Sequence, residues 1–101
     1  MAATAQSQDQ GRSPLLDTQV FGRRVRAQRR LMGLDSAAEL SRAVLSRTGL
    51  SVSERSLYMI ENGAKQPSLE VFFALLMTLE PDGGLEYFKP AIARAAWQQL
   101  F

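Results

Sequence analysis

Between Ser53 and Gln66 the chain gathers side chains able to bond a partner. These are the hydroxyls of Ser53, Ser56 and Tyr58, the carboxylates of Glu54 and Glu61, the Arg55 guanidinium, the amides of Asn62 and Gln66, and the Lys65 ammonium. An arginine fork and a lysine point charge suit anionic oxygens, and the hydroxyls and amides add directional bonds. Covalent chemistry has far less to work with. The sequence holds no histidine and no cysteine. That removes the commonest general base, the commonest zinc ligand and the thiolate nucleophile. No catalytic residue, metal or cofactor is therefore expected. Without cysteine there is no disulfide, and a reducing cytoplasm is the expected location.

The charge distribution points the same way. The net charge is only +2, but Thr18 to Gln66 carries nine Lys/Arg against four Asp/Glu, whereas Pro67 to Phe101 carries two against four. A basic first half suits a polyanion on one face and leaves the other for something else, unless the charges are simply solvated. At 101 residues and 46 % apolar composition the chain fits one small domain with a packed core. No apolar run approaches the ~18 residues of a membrane span, and residues 1–14 lack the apolar stretch of a secretory signal, so no membrane partner is expected. Those first residues are small, polar and aperiodic, and read as a disordered arm.

Helical periodicity organises the remainder. Phe21, Val25, Gln28 or Arg29, and Met32 give one inward stripe on a first helix from about Asp17 to Met32, stopped by Gly33. Arg23, Arg26 and Arg30 fall on another face, as a solvated surface or as phosphate contacts. Ser36-Ala-Ala-Glu39 is a capping box for a second helix that Gly49 ends. A third helix opens at Ser51 or Ser53, turns Leu57 and Ile60 inward and stops at Gly63. Ser68 caps a fourth, apolar nearly all round, which is expected to be the central core element. Pro81-Asp-Gly-Gly84 breaks it. A short turn, Leu85 to Phe88, then leads to a last helix from Pro90 to Phe101. Five helices and no strand predict an all-α domain.

The second and third helices, joined by a short glycine-containing connection, form a helix-turn-helix pattern. The residues then become more specific. Phe21-Gly-Arg-Arg-Val-Arg-Ala-Gln-Arg29, Gly33-Leu34, Ser36-Ala-Ala-Glu-Leu40, Ile60-Glu-Asn-Gly63 and Pro67-Ser68 resemble the lambda-type repressor and Cro family, often called XRE-like, over roughly Val20 to Phe88. The resemblance implies a lambda-repressor-like DNA-binding domain over residues 15–88, with an extra C-terminal helix over 89–101. It also implies a third helix that enters the major groove. Between Leu40 and Glu61 the sequence departs from the family. It carries an extended second helix, longer by one turn, and a wider turn region, which bears on how the second helix and turn would meet phosphates.

The resemblance assigns base-reading positions to Glu54, Arg55, Ser56 and Met59. Arg55 can bond both O6 and N7 of a guanine, unless it is a solvated arginine. Met59 meets a thymine methyl or packs at the core edge, and Glu54 accepts from a cytosine amine or serves the helix cap. Phosphate contacts are expected from Asn62, Lys65 and Gln66, and from Ser36, Ala37 and Ser53 at helix N-termini, with Arg42, Arg47 and Tyr58 as further candidates. Arg29 and Glu61 match a structural ion pair of the family. The C-terminal residues Phe88, Ile92, Trp97, Leu100 and Phe101 are expected to form a homodimer interface, or else to fold back onto the first helix. A twofold dimer would read a palindromic operator in double-stranded DNA. The function implied is a transcriptional regulator, a repressor of the kind phages and prophages carry. An antitoxin that regulates its own operon and gives its C-terminal patch to a toxin is the alternative. A protein-interaction module that keeps the fold without reading DNA is the alternative of another class.

Overall fold

The computed structural model describes residues 15–92, and these form an all-helical fold. Helix α1 is Thr18–Leu31, α2 Ala37–Thr48, α3 Glu54–Glu61 and α4 Leu69–Leu79; a 3₁₀ helix over Gly84–Ala91 completes the series. Each α-helix begins where a short polar side chain replaces the missing intrahelical acceptor. Asp17 accepts from the amides of Gln19 and Val20, Ser36 from Glu39, Ser53 from Ser56 and Ser68 from Val71. Ser53, and not Ser51, is thus the cap of α3. In the expected capping box Ser36 does its part, but Glu39 reaches one residue further back, to the amide of Asp35 at 2.9 Å. Gly49 ends α2 in the left-handed region, where a Cβ would be strained.

Helix α1 lies at the centre and packs against α3, α4 and the 3₁₀ helix, while α2 packs against α3 and α4. Phe21 and Val25 of α1 are fully buried among Leu40 and Val44 of α2, Leu57 and Ile60 of α3, and Leu75 and Leu79 of α4. Burying each such side chain contributes about 1.5–3 kcal/mol. Helix α4 is not the central element its composition predicts. It buries one side, and Leu69, Phe73 and Met77 remain exposed. Apolar composition measures what could be buried, and here the neighbours cover only part of it.

The C-terminal region departs furthest from expectation. Pro90 lies inside the 3₁₀ helix instead of opening a new one, and Ile92 is extended and pairs with Leu16 in a lone antiparallel bridge. Phe88 is fully buried, its ring 4.9 Å from Phe21 and 6.0 Å from Phe72. It is core and cannot belong to a dimer surface. Ile92 is half-buried, and Ala91 accepts a bond from the Asp17 amide. Trp97, Leu100, Phe101 and the expected arm over residues 1–14 lie outside the described residues.

Candidate nucleic-acid interface

Helix α3 has two faces set by its sequence. Leu57, Ile60 and Glu61 are buried; Glu54, Arg55, Tyr58 and Asn62 are exposed, with Ser56 and Met59 half-buried between them. Arg55, Met59 and Asn62 recur at i, i+4 and i+7, so they share a line along the helix opposite Leu57.

The inner face is locked to α1 by a charge cluster. Arg29 and Glu61 are 5 % and 3 % exposed. They meet in a two-pronged pair, with Arg29 Nε donating to Glu61 Oε2 at 2.8 Å and Arg29 Nη2 to Oε1 at 3.0 Å. Arg29 Nη1 also donates to the Leu34 carbonyl at 2.8 Å, and Arg26 Nε adds a bond to Glu61 Oε1 at 3.2 Å. Both carboxylate oxygens are therefore satisfied, as a buried charge requires. The expected Arg29–Glu61 contact is present. The part played by Arg26 is new, although Arg26 stands one turn before Arg29 and such neighbours share a side. Arg26 Nη2 also donates to Asn62 Oδ1, so the Asn62 oxygen is taken by a guanidinium of its own chain.

A second device sets the helix separation. Gly22 of α1 faces the end of α3, and a Cβ there would stand 2.4 Å from the Ile60 carbonyl oxygen. Only glycine permits so close an approach. The signal in sequence is a glycine inside a helix, which costs about 1 kcal/mol relative to alanine and so needs a packing reason.

At the other end of α3, a cleft of roughly 500 Å³ gathers Ser53, Ser56, Lys65 and Gln66 with Ser68 at the start of α4. Lys65 Nζ donates to Ser56 Oγ at 2.9 Å. Four of the expected contact residues thus surround one opening. Ser36 caps α2, Ala37 and Arg42 lie on it, and none of the three lines the cleft; Arg42 is exposed and the other two half-buried. Arg47 is engaged elsewhere, in an ion pair with Glu80 at the end of α4. Among the described residues no group of three or more His, Cys, Asp or Glu could hold a metal ion, and no helix is long and apolar enough to cross a membrane. Compared with family models, curated proteins and solved structures, the sequence matches none.

Proposed function

We propose that the chain binds double-stranded DNA sequence-specifically and regulates transcription, most simply as a repressor, with α3 as its reading helix. One observation carries this reading. The outer line of α3 presents Arg55 and Asn62 to solvent with half-buried Met59 between them, while its opposite face is fixed by an ion-pair cluster built on buried Arg29 and Glu61. A helix with one exposed face and a fixed orientation is what major-groove readout needs, because base edges reward only side chains held in place. Arg55 would fork onto a guanine, with Ser56 and Met59 on the flank of the same helix. Ser53, Lys65 and Gln66 would meet phosphates beside it, their positions set by the N-terminal end of α3 and the loop after it.

The test is selection of sites from random duplex, followed by a salt titration of the selected sequence. An enriched motif, with affinity falling steeply on a log–log plot against salt, is the expected result. Absence of any enriched motif, or a nearly flat salt dependence, refutes the proposal.

A further inference from the structure

Leu69, Phe73 and Met77 are 73 %, 49 % and 54 % exposed. Their spacing of four places them in one line along α4, on the side away from buried Ala74, Leu75 and Thr78. Nothing among the described residues covers this line.

We propose that the chain's own residues 93–101, Ala-Arg-Ala-Ala-Trp-Gln-Gln-Leu-Phe, dock on it. Composition is the first reason: Trp97, Leu100 and Phe101 are large and apolar. The second is position. The Asp17 amide bonds the Ala91 carbonyl, which puts the exit of the described fold at the start of α1. Phe21 near the start of α1 stacks on Phe72 near the start of α4 at 5.4 Å, while Gln28 bonds the Leu79 carbonyl at the far end of α4. The two helices therefore run the same way, and the exit lies at the end of α4 that carries Leu69. Phe88, just before the exit, contacts Phe72, which in turn meets Phe73 edge-on at 5.7 Å.

Reach is sufficient. Leu69 to Met77 covers about 12 Å of helix, and nine residues extend about 13 Å as a helix or about 30 Å as an extended strand. Charge selects this face over the alternative. The segment's one charged residue is Arg94. Helix α4 carries Glu70 three residues before Phe73 and no cation, whereas exposed Leu31 follows exposed Arg30 at the end of α1, a helix with no acid.

Trp97 is the only tryptophan, so emission from the full chain reports on this segment alone. The docked segment gives a blue-shifted emission shielded from acrylamide, unchanged on dilution, in a chain that sediments as a monomer. Phe73→Gln and Met77→Gln each red-shift it and raise the quenching constant several-fold while far-UV circular dichroism stays constant; Leu31→Gln changes nothing. Both residues are largely exposed, so if one variant loses its fold the other still decides. Three results overturn the proposal. One is a Trp97 as accessible as free indole. Another is shielding lost as a dimer dilutes apart, which gives the line to a second copy. The last is shielding that survives both α4 changes or is lost in Leu31→Gln.

Discussion

Glu61 ends α3, where the helix dipole already disfavours a carboxylate, and it is nearly out of contact with water. Its charge is tolerable only because Arg29 and Arg26 supply the missing bonds. Replacing Glu61 by leucine strands the Arg29 guanidinium, and the expected loss is about 3–5 kcal/mol in urea unfolding. The double change Arg29→Met, Glu61→Leu should recover most of that loss, since the one charge then left without its carboxylate, Arg26, is 32 % exposed and reaches water. A single variant within error of the parent would show that the pair is better hydrated than its exposure indicates. Arg55 makes the opposite case, an exposed guanidinium whose proposed role arises only with DNA bound. Arg55→Ala should weaken the selected duplex by about 1–3 kcal/mol and relax preference at one base pair. A uniform loss on all sequences would make Arg55 a phosphate contact. The Arg29–Glu61 pair was expected from the sequence and is present in the structure. The sequence did not show that Arg26 joins the pair and takes the Asn62 oxygen, because charge spacing alone does not distinguish a solvated arginine from a bonded one.

The helices themselves were legible because their caps are local chemistry. Asp17, Ser36, Ser53 and Ser68 bond amides two or three residues ahead, and no distant partner is involved. How the helices pack was less legible. Gly22 looks like a weakness until Ile60 and Glu61 are placed against it. Gly22→Ala gains about 1 kcal/mol of helix propensity but drives a methyl into two backbone carbonyl groups that cannot swing aside. A net loss of about 1–3 kcal/mol is expected by thermal unfolding, together with weaker duplex binding, since α3 must back away from α1. A variant more stable than the parent would mean the two helices separate freely. The 3₁₀ helix was missed for a related reason. Pro90 is a familiar helix opener, yet the long-range contacts of Phe88 and Ala91 with α1 and the segment leading into it settle the backbone there.

Along the whole chain, cations favour α1 to α3 and acids outnumber cations beyond Pro67, although Glu80 reaches Arg47 of α2 and Glu70 lines the cleft beside Lys65. Such an imbalance orients a polyanion before any specific bond forms. Two arginines of α2 separate this effect from ordinary surface pairing. Arg42 is exposed with no acidic partner among the described residues, whereas Arg47 is held by Glu80. Arg42→Gln should lower the salt slope of duplex binding by about 1 and weaken all sequences alike, while Arg47→Gln leaves the slope unchanged. Equal slopes for the two variants would remove α2 from the interface. The core was foreseeable at this scale from helical periodicity, but the surface was not, since exposure of Leu69, Phe73 and Met77 depends on where neighbours stop. The joining of Asp17 to Ala91 and of Leu16 to Ile92 has one more effect. The fold works as a loop fastened by a clasp: a short peptide could join residue 92 to residue 15 and close the ring without disturbing a helix. New ends could then be cut at exposed Gly49 or Gly83, with the order of the helices changed and their arrangement kept.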